Sequence, residues 1–237
     1  TFKILKVHKK FLTTELICAH LRLKENGQQN LKQNKANKKF VYLISPNKIK
    51  SNDFYVDLGQ VLSSKKVSFF QLRLKKETYK NKIYIGKKIK KICKKYKVKF
   101  LINDDPTLTK KLNADGCHLG QKDMDIQKAR KILKNKIIGI TCHNSINLAN
   151  KAIKDGVDYL AFGAFYSSKT KKVKYKTNIK ILDLAKKITN IPIVAIGGIK
   201  LNNYKKLLLN KANFLAISGY IWNNKKYKPL EAIKKLR

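Results

Sequence analysis

The chain has 237 residues, enough for one α/β barrel or two small domains, and its 43% hydrophobic content excludes a disordered polymer. Its 55 Lys+Arg against 14 Asp+Glu give a net charge of +41, which raises nucleic acid or an anionic membrane as partners. The arginines, however, are Arg22, Arg73, Arg130 and Arg237, and lysines at helical spacing such as Lys87-Lys88-Ile89-Lys90-Lys91 read as a solvated face, so no specific nucleic acid is expected.

In chain order, residues 1–39 stand apart. Phe11 to Leu23 fits a short helix, but Glu25 to Lys39 is Asn, Gln and Lys with almost nothing apolar, which reads as a basic polar extension and linker. An organelle transit peptide fits this start, although Glu15 and Glu25 count against it; an upstream segment without function fits equally.

From Phe40 onward, apolar runs are expected as strands at Phe40–Ser45, Val67–Arg73, Val98–Asn103, Gly116–Gly120, Ile137–Thr141, Tyr159–Gly163, Ile191–Ile196 and Asn213–Ser218. Helix-period segments lie between and after them: Phe54–Ser63, Thr78–Tyr96, Leu108–Leu112, Ile126–Leu133, Ile146–Asp155, Ile179–Thr189, Asn202–Leu209 and Leu230–Leu236. Ser145, Asn178 and Asn202 stand where N-caps belong, and Gly156 where a helix ends at positive φ. Eight alternations predict a (β/α)8 TIM barrel over residues 40–237. An open doubly wound sheet competes, but the even spacing and the lack of an early GxGxxG turn favour the barrel.

Cys18, Cys93, Cys117 and Cys142 form no CxxC pair and no metal-ligand spacing, so reduced thiols in the cytoplasm are expected. No apolar run approaches the ~20 residues of a membrane span, and no membrane partner is expected. Oligomeric state stays open, a homo-oligomer included.

A barrel gathers the C-terminal ends of its strands on one rim. That rim would carry Gln71, Arg73 and Lys75 after strand 2, Asn103 and Asp104 after strand 3, and Asp123 after strand 4. Thr141, then Ser168 to Lys171, Gly197-Gly198 and Ile217-Ser218-Gly219 would follow strands 5 to 8. Strands 3 and 4 run parallel, so Asp104 and Asp123 would meet at neighbouring ends and share a hard cation such as Mg²⁺, with phosphate and water completing the octahedron. Arg73 suits a diphosphate as a bidentate fork, and Lys75 and Lys171 as point charges. The glycine-bearing loops after strands 7 and 8 would let backbone N–H groups approach a second phosphate, with a helix N-terminus adding favourable partial charge.

Six segments of this chain, Gln71-Leu72-Arg73-Leu74-Lys75, Ile102-Asn103-Asp104-Asp105, Asp115 to Asp123, Gly163-Ala164-Phe165-Tyr166 with Thr170-Lys171, Ile196-Gly197-Gly198-Ile199 and Ile217-Ser218, resemble the thiamine-phosphate synthase family in order and spacing. That resemblance implies a TIM barrel that couples hydroxymethylpyrimidine diphosphate to a thiazole phosphate, releasing diphosphate. It implies pyrimidine-diphosphate binding by Gln71, Leu72, Arg73, Leu74, Lys75, Asn103, Thr141 and Lys171, and Mg²⁺ binding by Asp104 and Asp123. Thiazole-phosphate binding falls to Ser168, Lys169, Thr170, Gly198, Ile217 and Ser218, and catalytic charge to Arg73, Lys75 and Lys171. Cys142 and His118 are expected as packing residues, with His143 undecided. The sequence departs from the family at Leu74, where a glutamate is usual, at Ser167-Ser168, where Pro-Thr is usual, and at Thr141, which keeps a serine's hydroxyl. Two other readings stay in play: a thiazole tautomerase without the coupling activity, and a basic RNA-binding protein on a barrel scaffold.

Overall fold

A computed structural model describes residues 39–49, 51–168 and 174–237. The expected extension at residues 1–39 therefore lies, Lys39 excepted, outside the described residues. Lys39–Arg237 forms one unit in which eight parallel strands close into a barrel in sequential order. The strands are β1 (Val41–Ile44), β2 (Val67–Leu72), β3 (Lys99–Asn103), β4 (Gly116–Leu119), β5 (Ile137–His143), β6 (Tyr159–Gly163), β7 (Ile193–Ile196) and β8 (Phe214–Ile217). Between them run α1 (Asp53–Ser63), α2 (Tyr79–Lys95), α3 (Pro106–Lys111), α4 (Ile126–Leu133), α5 (Ile146–Lys154), α6 (Lys180–Ile188) and α7 (Tyr204–Leu209), with α8 (Gly219–Trp222) and α9 (Pro229–Lys235) closing the chain.

Strand alternation divides the core in two. Val41, Leu43, Phe70, Leu72, Phe100, Ile102, Cys117, Leu119, Leu160, Phe162, Leu215 and Ile217 pack outward into the layer shared with the helices. The intervening positions fill the barrel interior, where Tyr42, Phe69, Tyr159 and Phe214 meet ring to ring. Gly139 on β5 makes room for this filling: a Cβ there would lie 1.9 Å from the Tyr159 ring.

At the N-terminal end of the barrel, side chains just ahead of the even strands hold the starts of the odd ones. Asp115 accepts from Phe100 N at 2.8 Å, Asp158 from Ile138 N at 2.7 Å, and Asn213 from Ile193 N at 2.8 Å. Arg130 adds a charged bond to Asp158 at 2.7 Å.

The expected elements recur with shifted edges. Ser145 caps α5 through Leu148 N, and Asn178 accepts from Lys180 N at 3.0 Å. Asn202 does not cap: α7 starts at Tyr204, and Asn203 instead accepts from Lys200 N and donates to Gly198 O. Thr78, Asp105 and Asp125 supply caps that the sequence reading passed over. Gly156 has φ +82° just past α5, as its position suggested.

Candidate active site

The site grows from where the strands stop. At the end of β2, Gln71 is buried and donates to Asn103 Oδ1 at the end of β3, 2.5 Å away. Arg73 follows, its backbone N–H donating to Ser45 Oγ at 2.9 Å and its guanidinium to Asn47 Oδ1 at 3.0 Å. Ser45 is nearly fully buried, and its carbonyl receives the Ser218 hydroxyl at 3.1 Å, so the polar end of β1 ties the β2 and β8 ends together.

Asp104 leaves β3 with φ +65°, and its N–H donates to His118 O on β4 at 2.8 Å. Asp123 arrives from the other side through a tight turn, in which its N–H donates to Gly120 O at 3.2 Å and its carboxylate accepts from Gly120 N at 2.6 Å. These two backbone devices bring the Asp104 and Asp123 carboxyl groups within hydrogen-bonding reach of each other. Lys75 closes the cluster with an ion pair to Asp104 at 2.8 Å.

Two carboxyls so close cannot both ionise freely. Burial pushes Asp123 up, and the hydrogen bond with Asp104 pushes it further, against the Gly120 N–H. Burial pushes Asp104 up too, but the bond with Asp123 and the Lys75 ammonium outweigh it and hold Asp104 below the ordinary carboxylate value. The two carboxyls therefore lose their protons in separate steps, Asp104 first, and a divalent cation held between them would compete with the second proton. Burial lowers the Arg73 guanidinium, with Asp104 opposing, yet an arginine stays charged at any physiological pH.

The donors fit Mg²⁺. Among the described residues no three His, Cys, Asp or Glu side chains converge, and Mg²⁺ commonly takes only one or two carboxylates alongside phosphate and water.

On the other side of the mouth, Gly197 and Gly198 follow β7 at φ +106° and +62°. A Cβ on Gly198 would lie 2.3 Å from Ser167 O and 2.8 Å from Tyr166, so this glycine is what lets the β6 and β7 loops pack together. Ser218 ends β8 half-buried.

Several expected residues play other parts. Leu72, Leu74 and Ile217 are in the strand–helix core, so their side chains face away from the mouth and only their backbone could meet a ligand. Lys169, Thr170 and Lys171 lie outside the described residues. Cys142 is buried packing, as expected, and Cys93, Cys117 and Cys142 are free thiols. His143 stacks on Tyr175 at 4.2 Å between ring centres. His118 is buried as expected but is more than packing, because both ring nitrogens are hydrogen-bonded, to Tyr159 and to Thr141. Asn47, Ser45 and Tyr159 were missed, as was the bond between His118 and the expected Thr141; the polar run Ser45-Pro46-Asn47 at a strand end was the available signal for the first two.

The family model described as thiamine monophosphate synthase matches residues 41–221. The chain belongs to the thiamine-phosphate synthase family. As a member it is an enzyme, a transferase. It is 80% identical over 207 residues to the thiamine-phosphate synthase of Pelagibacter ubique, covering 87% of this chain and all of that one. It is 40% identical over 184 residues to the thiamine-phosphate synthase of Nitrosomonas eutropha, covering 77% and 86%. Among solved structures, thiamine phosphate pyrophosphorylase from Pyrococcus furiosus superposes with a TM-score of 0.75 at 26% identity, covering 85% of this chain and 95% of that one. The thiamine-phosphate synthase barrel expected from the sequence is therefore the barrel found.

Proposed function

We propose that the chain joins hydroxymethylpyrimidine diphosphate to thiazole phosphate, forming thiamine phosphate and releasing diphosphate, with Mg²⁺ held by Asp104 and Asp123. The observation that carries this reading is the meeting of those two carboxyls at adjoining strand ends, flanked by Arg73 and Lys75 from β2. A tautomerase has no use for a diphosphate apparatus of this kind.

When bound, Mg²⁺ supplies charge neutralisation at the departing diphosphate. The protein's own residues do the rest. Arg73, oriented by Asn47, offers its fork to phosphate oxygens, and Lys75 is near enough to exchange its Asp104 partner for one. Lys171 adds a third cation by family resemblance. Gln71 and Asn103, bonded to each other, keep one acceptor and one set of donors for the pyrimidine. Charge stabilisation on the leaving group lets the C–O bond break, and the aminopyrimidine bears the methylene cation. The thiazole nitrogen lone pair then forms the C–N bond, its phosphate anchored near Gly198, Ser168 and Ser218, with Lys169, Thr170 and the Ile217 backbone completing that side by resemblance. Proximity replaces a protein nucleophile.

Buried thiols fit a reducing cytoplasm, and among the described residues no helix is long and apolar enough to cross a membrane. The test is to mix purified chain with both phosphorylated heterocycles, with and without Mg²⁺, and to look for thiamine phosphate. Product only with the metal is expected; no product under either condition defeats the reading.

A further inference from the structure

A row of hydrogen bonds runs through the barrel interior to the mouth. The Tyr42 and Tyr159 hydroxyls are 2.8 Å apart, Tyr159 Oη lies 2.8 Å from His118 Nδ1, and His118 Nε2 lies 2.8 Å from Thr141 Oγ1. Four strands contribute one residue each: β1, β6, β4 and β5. The rings are held in register, His118 stacked on Tyr159 at 5.7 Å and Tyr42 set edgewise to Tyr159 at 5.8 Å, in the room that Gly139 leaves.

Hydrogens can run along this row in only one direction without stranding one. Burial pushes both phenols up, so each keeps its hydrogen. Among the described residues Tyr42 has one hydrogen-bond partner, the Tyr159 oxygen. If Thr141 donated to His118, the sense would reverse, Tyr159 would donate to Tyr42, and the buried Tyr42 O–H would have no acceptor. A doubly protonated imidazole strands the same hydrogen. In the satisfied order Tyr42 donates to Tyr159, Tyr159 to Nδ1, and the Nε2–H to Thr141. The Thr141 oxygen is then an acceptor inward, and its own hydrogen points to whatever else is near.

We propose that His118 is a positioning residue that commits the Thr141 hydroxyl to donate to the substrate, so that Thr141 meets an acceptor atom, a pyrimidine ring nitrogen or a diphosphate oxygen, and not an exocyclic amine. The proposal rests on the reading of Thr141 as a substrate contact. It gives work to a buried histidine that the coupling chemistry otherwise leaves idle, and it makes the barrel filling part of recognition rather than inert packing.

The test has three arms on the full chain. Long-range proton–nitrogen correlation on ¹⁵N-histidine-labelled wild type reads the His118 tautomer directly; the Nε2–H form is expected, and the Nδ1–H form or an imidazolium overturns the proposal with no variant involved. Tyr159→Phe removes the donor to Nδ1 and is expected to lower turnover roughly tenfold with an intact fold by circular dichroism. Thr141→Val is expected to lose as much, and Tyr159→Phe to cost nothing further in that background. Additive losses, or full turnover in folded Tyr159→Phe, overturn the proposal. Full turnover in Thr141→Val with the Nε2–H tautomer retained instead removes Thr141 from the substrate site, and the proposal goes with it. Titration with inorganic diphosphate separates the acceptors: weaker binding to Thr141→Val identifies a phosphate oxygen, and unchanged binding with reduced turnover identifies the ring nitrogen.

Discussion

The two ends of this barrel use aspartate in opposite ways. At the N-terminal end, Asp115 and Asp158 each accept a backbone N–H from a neighbouring strand, and each meets one cation, Lys99 at 3.3 Å or Arg130 at 2.7 Å. Their charges are satisfied by the fold that they pin. At the C-terminal end, Asp104 and Asp123 face each other, so that one is pushed up by its neighbour and the other held down. The same side chain is settled where a cation and a backbone N–H are its partners, and is driven off its ordinary ionisation where a second carboxyl joins such partners, the arrangement that the proposed metal site would use. An unsatisfied electrostatic arrangement separates the two more sharply than residue type does.

Single changes can break that contrast, and the largest effect belongs to the C-terminal end. Asp104→Ala is expected to lower Mg²⁺-dependent turnover about a thousandfold, several kcal/mol of lost charge stabilisation, with the melting temperature unchanged or higher. Steady-state kinetics beside a thermal melt reads both. Asp158→Ala is expected to do the reverse. It leaves the Ile138 N–H without its side-chain acceptor and Arg130 without its carboxylate partner, and costs about 2 kcal/mol of stability, while turnover per folded molecule holds. Denaturant titration with activity normalised to folded fraction checks it.

The pH dependence of metal binding sharpens the comparison next. Metal must displace any proton that Asp123 holds, and its affinity for a proton is raised, so Mg²⁺ affinity is expected to fall as pH drops below the raised Asp123 value, about tenfold per pH unit, and to level off above it. Asp123→Asn removes that proton and flattens the curve while lowering affinity overall, as titration calorimetry across pH would record. The smallest effect is expected at Asn47→Ala, which frees Arg73 from one neutral hydrogen bond and weakens diphosphate binding by about fivefold.

Much of the C-terminal end was legible because barrel strands buried on both faces read as apolar runs, and a polar cluster such as Asn103-Asp104 marks where one stops. The same rule, applied to β1, would have found Ser45 and Asn47; three short residues after a four-residue strand gave too weak a signal. Leu72 and Leu74 show where the pattern narrows a reading, since both side chains sit in the strand–helix core and leave only their backbone for the ligand that the shared family segment implies. His118 was beyond the sequence in a deeper sense. Its partners Thr141 and Tyr159 lie 23 and 41 residues away, on other strands, and only barrel closure brings three polar groups to one line. Residue spacing encodes which face a side chain takes, but not which distant strand supplies the atom opposite.

The most direct measurement is calorimetric titration of inorganic diphosphate into wild type and Asp104→Asn, each with and without Mg²⁺. Tight binding that requires the metal in wild type, and is lost in Asp104→Asn, is expected if the carboxyl pair holds the cation against the leaving group. Equal diphosphate affinity in all four titrations would contradict it.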